Sequence, residues 1–301
     1  MASKFSHLPD ISTIQPDRLI KYRVSEDRFS AEVLLPGLSY TDFDQKIGGK
    51  MNLWSMAKLF ECIRYAVLPY GFGHFDMLKD DEHSIFMAST AYHVTDNGNS
   101  LNSRPHWGLN FPMYTTLNII YAGSSAFSFE IKLTNFDTSE ILMTAEMTFV
   151  YIDYNTRRPA PFPAWYEEAK NKKKFGPALP RLPTLEIPQN AFQYEVHSNY
   201  SDIDHNGHVN QSIYVKWCTD AGTEAALKGL YSGFIDNIGK YPLDSLEIKY
   251  IGEGMVDEQF AVNTWQDKDS PLVLHFAVTK QKKLTIVAKF TYKASELGSR
   301  L

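Results

Sequence analysis

The sequence predicts an α+β protein built from two similar units, each with a curved antiparallel sheet wrapped around one long helix. Two observations carry this prediction. A strand, a long amphipathic helix and a run of strands occur in the same order twice along the 301 residues. A proline-rich stretch, residues 155–190, lies between the two occurrences. Because one helix covers one face of a sheet, each unit is expected to have two layers.

The first half contains one helical pattern and several strand patterns. Residues 52–67 place apolar side chains at helical spacing and predict an amphipathic helix. Runs of alternating or continuous apolar residues predict strands at 31–35, 85–94, 114–121, 127–133 and 141–153.

Residues 155–190 hold seven of the 15 prolines, together with several lysines. Prolines at this density do not continue a helix or a central strand. We therefore expect a semi-rigid, partly extended linker, and the alternative is a long surface excursion within one domain. The predicted domains are an N-terminal unit at 1–154, this linker at 155–190 and a C-terminal unit at 191–301.

The second half repeats the order of the first. Residues 192–196 alternate like a strand, and residues 209–228 carry apolar side chains at helical spacing. Further strands are predicted at 246–251, 259–265, 272–279 and 284–292, with turn signals between them. With a two-residue gap, the two halves also align directly. Tyr40, Asp42, Asp44, Gly49 and Asn52 fall on Tyr200, Asp202, Asp204, Gly207 and Asn210.

Composition limits the classes of function. A net charge of −5 argues against a dedicated nucleic-acid binder. Two cysteines, Cys62 and Cys218, cannot form a disulfide framework and favour a reducing compartment. The sequence shows no signal peptide and no apolar run long enough for a membrane span. We expect a cytoplasmic protein without a membrane span, without a cofactor and without a metal.

The residues that carry chemistry are expected just before the second helix. Asp204, Asn206 and His208 precede a helix N-terminus, which offers unpaired backbone N–H groups and partial positive charge. Such a terminus can hold an oxygen that gains negative charge during a reaction, through the backbone of Gly207, Val209 and Asn210. Asp204 can act as a general base or as a nucleophile, Asn206 can orient water, and His208 can move a proton.

The string DxDxNGHVNxxxYxxW, from Asp202 to Trp217, resembles the signature of hotdog-fold thioesterases. It is most similar to acyl-acyl-carrier-protein (acyl-ACP) thioesterases and to the 4-hydroxybenzoyl-CoA type. The resemblance implies a tandem hotdog fold and hydrolysis of an acyl-CoA or acyl-ACP thioester in fatty acid metabolism. It also implies that Asp204, Asn206 and His208 form the catalytic set.

The chain departs from this family in two places. Plant-type members have a Glu–Cys pair on the strand after the helix, where this chain has Ile251 and Gly252. Glu253, one position later, is a possible substitute. Cys218 is expected to be a buried structural thiol. In the first half Lys50 stands in the position of His208, so we expect a degenerate site there that shapes the acyl pocket.

Purely structural roles are the alternative interpretation for several of these candidate site residues. An Asp and an Asn before a helix are normally caps, and Asp202 is expected to be one. Tyr214, Trp217, Trp54 and Phe60 are candidates for contact with substrate, but core packing explains them equally well. The start of a calcium-binding loop is matched at 202–207, but Ile213 stands where calcium needs Glu.

Two alternative functions remain for this fold. The fold can hold an acyl or aromatic ligand without turnover, or act as a hydroxyacyl dehydratase. The partner is expected to be the thioester substrate, and a homodimer is possible. Basic residues for its phosphates or for an acidic carrier protein are Arg157, Arg158, Lys170, Lys172, Lys173, Lys174, Lys280, Lys282 and Lys283, although such clusters are usually solvated surface.

Overall fold

A computed structural model describes residue 15 and residues 19–101 and 112–294. The N-terminal segment on which the expectation of no leader rests lies almost wholly outside the described residues. The helices are α1 Leu53–Tyr65, α2 Phe75–Leu78, α3 Asp96–Asn99, α4 Ala164–Asn171 and α5 Gln211–Leu227. The strands are β1 Lys21–Val24, β2 Ser30–Leu35, β3 Phe43–Asp44, β4 Lys50–Met51, β5 His83–Val94, β6 Met113–Ala122, β7 Ala126–Asn135, β8 Ile141–Asp153, β9 Phe192–His197, β10 Leu243–Tyr250, β11 Gln259–Gln266, β12 Val273–Lys280 and β13 Lys283–Tyr292.

The chain forms two compact units. The first takes its described residues from segments 1–39, 59–87 and 108–179, and the second from segments 40–58, 88–107 and 180–301. Each unit thus draws on more than one stretch of the chain. The boundaries predicted at 154 and 190 stay a prediction, because they describe the duplication and not these compact units.

The first unit has an antiparallel sheet in the order β1–β2–β6–β7–β8. Strands β2, β6, β7 and β8 alternate between buried and less buried side chains over much of their length, and Val33, Leu117 and Ile131 are fully buried. This alternation is what a sheet with one covered face requires. Strand β1 was not predicted, because its four residues are a short run and none of them is fully buried. It is held by pairing with β2 and by the ion pair between Arg23 and Glu32.

The first part of the proline-rich stretch contains a short helix and packs on the first unit. Helix α4 begins directly after Pro163, where a missing N–H removes no helical hydrogen bond. Phe162 and Tyr166 from this part are buried, and their rings lie 4.4 Å apart. The amide of Gly176 donates to the carbonyl of Ile120 at 2.8 Å. Aromatic burial therefore outweighs the extended tendency of this stretch over residues 164–171, whereas Pro163 itself keeps an extended backbone.

The second unit carries the motif. Its antiparallel sheet contains residues 88–94 of β5, followed by β10, β13, β12, β11 and β9. Helix α5 packs against β9, β11 and β12. Small residues let the helix approach closely: a Cβ atom at Gly222 would lie 2.6 Å from Ile238 and 3.1 Å from Phe276. The long helix and the strands predicted in both halves are confirmed, with shifts of a few residues at their ends.

Among the described residues, no helix combines the length and the apolar character that crossing a membrane requires.

Candidate active site

The loop before α5 is a tight hairpin. Ile203 pairs with Val209 in an isolated bridge, and the amide of Asp204 donates to the carbonyl of His208 at 2.8 Å. The turn closes where the amide of Gly207 donates to the carbonyl of Asp204 at 3.0 Å. Gly207 has φ of 79°, in the left-handed region that a glycine adopts without strain. Asn206 and His208 are the residues directly before and after this glycine.

The carboxylate of Asp204 is fixed by its own loop. Its Oδ1 atom accepts the amide of Asn206 at 2.8 Å and the amide of His208 at 3.4 Å. Its Oδ2 atom accepts no hydrogen bond from the described residues. One oxygen thus holds the loop while the other is left for a water or a substrate, so the capping role and a chemical role are compatible in one side chain.

Two neighbouring polar residues are caps. Asn210 precedes α5, and its Oδ1 atom accepts the amide of Ser212 at 3.0 Å and the hydroxyl of Ser212 at 2.7 Å. Asp202 accepts the amide of Asn199 at 2.8 Å, in a reciprocal capping arrangement. The capping interpretation of Asp202 thus agrees with its contacts.

His208 lies beside Glu253. The Nε2 atom of His208 is 3.6 Å from Oε2 of Glu253, and the side chains are 31% and 25% exposed. Glu253 belongs to the loop 251–258 between β10 and β11. That loop is tied to the hairpin where the amide of Val209 donates to the carbonyl of Gly254 at 2.8 Å. A half-buried imidazole with a carboxylate neighbour is a common proton-transfer arrangement.

The loop 251–258 is held in place by Ser198, which the sequence analysis did not single out, and by Lys280, which it assigned to substrate phosphates instead. The hydroxyl of the fully buried Ser198 donates to the carbonyl of Met255 at 2.6 Å and accepts the amide of Glu258 at 3.0 Å. Lys280 pairs with Glu258 at 3.0 Å and donates to the carbonyl of Glu253 at 3.1 Å. These contacts join residues far apart in the chain, so they cannot be predicted from local sequence patterns.

Tyr214 and Trp217 are both buried on α5, with 3% and 5% exposure. The ring of Trp217 packs against Phe260 at 5.1 Å and against Tyr214 at 5.4 Å, so Trp217 belongs to the core. The hydroxyl of Tyr214 lies beside the Gly254 backbone, but no described residue gives it a hydrogen bond of normal geometry. Burial raises the pKa of this hydroxyl well above its usual range. A neutral, unpartnered donor is thus fixed beside the two loops.

The backbone amides proposed for the oxyanion are already used. Gly207 donates to Asp204, Val209 to Gly254 and Asn210 to Asp202, at 2.8–3.0 Å. Stabilisation of an oxyanion by these three amides stays a prediction, and their existing hydrogen bonds do not favour it. The side-chain donors of Asn206, His208 and Tyr214 are the alternatives in the same unit.

Residues 186–293 match the family model described as the acyl-ACP thioesterase C-terminal domain. This stretch contains the hairpin, α5 and the loop of Glu253. The chain is a thioester hydrolase. The resemblance stated from the DxDxNGHVN string is thereby confirmed. No curated protein sequence matched the chain.

Solved structures of similar fold have low sequence identity to the thioesterase. An acyl-ACP thioesterase from Bacteroides thetaiotaomicron aligns with a TM-score of 0.64 and 16% identity, over 90% of this chain and 100% of that chain. A 12:0-ACP thioesterase from Umbellularia californica aligns with a TM-score of 0.66 and 15% identity, over 92% and 98% of the two chains. A putative oleoyl thioesterase from Lactobacillus plantarum gives 0.66 and 13%, over 88% and 95%. These alignments confirm the tandem hotdog fold.

Other predicted residues lie in less distinctive surroundings. Cys218 is fully buried, as expected, and Phe60 is fully buried in the first unit. Trp54 is half-buried in the second unit. Three lysines proposed for substrate phosphates already form ion pairs within the thioesterase: Lys170 with Glu167, Lys173 with Asp27 and Lys280 with Glu258.

Proposed function

We propose that this thioesterase hydrolyses an acyl-ACP thioester with Asp204 as the general base, Asn206 as the group that orients the water and His208 as the proton donor to sulfur. The observation that carries the proposal is the pairing of a hairpin-bound Asp204 with a His208–Glu253 pair in the family-matched stretch. Paired carboxylate and imidazole groups supply the base and the acid that hydrolysis requires.

The proposed reaction begins with proton transfer from water. The Oδ2 atom of Asp204 accepts a proton from water while the water oxygen bonds to the thioester carbonyl carbon. The carbon–sulfur bond then breaks, and protonated His208 gives its proton to the departing sulfur. Glu253 stabilises the protonated imidazole. The Tyr214 hydroxyl is a candidate donor to the carbonyl oxygen as that oxygen becomes negative.

A matched pair of histidine variants tests this assignment. Thioester hydrolysis is followed by thiol release for wild type, Asp204→Asn, His208→Ala and His197→Ala. His197 is the control, because it forms a similar pair with Asp257, at 3.0 Å, in the same unit but in an exposed position. We expect kcat to fall about 100-fold or more in Asp204→Asn and His208→Ala, and to stay near wild type in His197→Ala. Unchanged turnover in Asp204→Asn would contradict the proposal.

We propose that the acyl group is carried by ACP and not by CoA. Support comes from the family model and from the solved acyl-ACP thioesterases of similar fold. Matched acyl-ACP and acyl-CoA substrates of 8, 12 and 16 carbons separate the carriers and the chain lengths, and we expect higher kcat/KM with acyl-ACP. Equal or higher kcat/KM with acyl-CoA would overturn this preference while leaving the hydrolase intact.

The competing functions give different products in the same assay. A dehydratase forms an unsaturated thioester from a hydroxyacyl thioester and releases no thiol. A non-catalytic ligand-binding protein retains the thioester unchanged. We also propose a place in fatty acid metabolism, since the product of the proposed reaction is a free acid. A cytoplasmic location is proposed because both cysteines, Cys62 and Cys218, are free thiols.

A further inference from the structure

A cavity of about 260 Å³ lies in the second unit, on the face of the sheet opposite α5. Strand alternation defines this face. Phe276 points at α5, where it lies close to Gly222, so the preceding residue, His275, points to the other side. The cavity thus differs from the loop site, which lies at the N-terminus of α5.

The floor of the cavity is one row of side chains across four neighbouring strands. Glu247 on β10 is opposite Lys289 on β13, Lys289 is opposite His275 on β12, and His275 is opposite Trp265 on β11. Glu247 and Lys289 form an ion pair at 2.8 Å. His275 and Trp265 stack with ring centroids 5.5 Å apart. Charged groups thus lie at one end of the row and aromatic rings at the other.

The roof is residues 180–185, the last part of the proline-rich stretch. Pro180, Arg181, Leu182, Pro183 and Leu185 all line the cavity. The roof is anchored where Lys249 donates to the hydroxyl of Thr184 at 2.9 Å. Pro180 and Pro183 limit the conformations of this segment, so the roof keeps its shape without regular secondary structure.

His275 is a buried histidine with one nitrogen engaged. It is 8% exposed, and its Nε2 atom lies 3.0 Å from Oδ2 of Asp267. The other oxygen of Asp267 accepts the amides of Asp269 and Ser270 at 2.9 and 3.0 Å. No described residue forms a hydrogen bond with the Nδ1 atom of His275. When the ring is protonated, Nδ1 donates a hydrogen bond to a second acceptor.

The charges of the side chains that line the cavity indicate which kind of ligand supplies this acceptor. Arg181 forms no ion pair with any described residue, whereas Glu247 and Lys289 neutralise each other. Asp267 balances the ring of His275 when that ring is protonated, so Arg181 carries the uncompensated positive charge of the lining. Guanidinium groups bind carboxylates in two-point geometry. Leu182, Leu185 and Val287 supply apolar walls. A ligand that satisfies both features has a carboxylate head and an apolar body.

We infer that this cavity is a second ligand site, for a small alkyl carboxylate held by Arg181 and His275. The site rests on the geometry of the second unit, and the choice of an alkyl acid rests on the proposed function, whose product has this chemistry. The acid released at the loop site then has a separate place to bind on the same chain.

Direct binding measurements on the full chain test the inference. Octanoate is titrated by calorimetry below its micelle-forming concentration, with octylammonium and octanol as probes of the same length. We expect octanoate to bind and the other two to bind at least tenfold more weakly. Equal binding of octylammonium, or no binding of octanoate, would overturn the inference.

Variants locate the binding. Arg181→Gln and His275→Gln are each expected to weaken octanoate at least tenfold, because each removes a charge-assisted hydrogen bond. Lys282→Gln removes one exposed positive charge elsewhere in the second unit and is expected to bind octanoate normally. Arg181 is exposed on the roof, so its variant keeps the test valid even if His275→Gln does not fold. Unchanged binding of octanoate to Arg181→Gln would overturn the inference, because octanoate would then bind at another place, such as the loop site.

The two proposals fail separately. Arg181→Gln is expected to hydrolyse thioesters at the wild-type rate without added acid. If wild type hydrolyses no thioester but binds octanoate in an Arg181-dependent way, the proposed function fails and the cavity site stands. If hydrolysis proceeds and octanoate binding ignores Arg181, the cavity site fails alone.

Discussion

The Nε2 atom of His208 lies 3.6 Å from Oε2 of Glu253, although 44 residues separate the two in the chain. The distance is longer than a hydrogen bond of normal length. Contacts between catalytic groups are often long in the absence of substrate and shorten in the complex. We therefore propose that Glu253 is a positioning residue, which acts on the reaction through His208.

Replacing Glu253 by Gln tests this assignment. The amide keeps the shape but loses the negative charge that stabilises protonated His208, so we expect kcat to fall about tenfold with little change in KM. The free energy of unfolding, measured by urea titration, is expected to stay near wild type, because both side chains are partly exposed. Glu253→Asp is expected to recover part of the loss. A change in stability without a change in kcat would indicate a purely structural role.

Replacing Tyr214 by Phe is expected to move stability and activity in opposite directions. The hydroxyl is buried without a hydrogen bond from the described residues, so its removal relieves a desolvation cost and raises the free energy of unfolding by about 1 kcal/mol. If the hydroxyl donates to the substrate, kcat/KM falls about tenfold in the same variant. Thermal unfolding and thioester hydrolysis measure the two effects. Unchanged kcat/KM would remove the hydroxyl from the site.

Gly254 and Gly252 form a natural pair of tests in one loop. A Cβ atom at Gly254 would lie 2.7 Å from Phe260, 2.8 Å from the Tyr214 hydroxyl and 2.9 Å from Val209. At Gly252 the nearest atoms are at 3.7 Å. We expect Gly254→Ala to lose about 1–3 kcal/mol of stability by overpacking, and to lose activity because the loop of Glu253 moves. Gly252→Ala is the control and is expected to change neither by much. Equal effects would show that the contacts of Gly254 are not limiting.

Much of the fold follows from local pattern, and much of the site does not. The long helix and most strands of each half can be predicted from the spacing of apolar residues, because each element buries an apolar face. Strand β1 has no such pattern and is fixed by pairing with β2. Helix α4 lies in a proline-rich stretch, where burial of Tyr166 outweighs the local tendency to remain extended.

The motif residues were visible in the sequence because Asp204, Asn206 and His208 are close in the chain. The proximity of Glu253 to His208 was not visible, because it depends on a loop fixed by Ser198 and Lys280. The sequence also did not show that the amides of Val209 and Asn210 already donate hydrogen bonds, since their acceptors, the carbonyls of Gly254 and Asp202, belong to other turns of the chain. Local spacing predicts which groups are present, and tertiary hydrogen bonds decide which of them remain available.

Asp220 on α5 is expected to make stability depend on pH. Burial raises the pKa of its carboxyl above the usual value, while Lys216 one turn earlier offsets part of this effect. A raised pKa in the folded state means that ionisation of Asp220 costs stability as pH rises above about 4, the usual pKa of an unfolded Asp. Asp220→Asn is therefore expected to be more stable than wild type at pH 7, and the difference is expected to shrink toward pH 4.

Glu224→Gln provides the control for Asp220. Glu224 lies on the same helix but pairs with Lys228 at 3.1 Å and is 42% exposed. Its substitution is expected to change stability little at pH 7, as is usual for exposed pairs. Urea unfolding of both variants at pH 4, 5.5 and 7 measures the comparison. A loss of stability in Asp220→Asn at pH 7 would show that the ionised carboxylate stabilises the fold.

Cys218 is expected to have no part in the chemistry. The thiol is fully buried, and burial raises its pKa well above the usual range, so the nucleophilic thiolate is disfavoured. Cys62 is exposed, and a thiol reagent is expected to modify it quickly in the native protein and to reach Cys218 only after denaturation. Cys218→Ala is expected to hydrolyse thioesters within about twofold of wild type, while losing about 1 kcal/mol of stability from the cavity it leaves. If a folded Cys218→Ala variant instead lost nearly all turnover, a cysteine mechanism would be restored and Asp204 would no longer be the base.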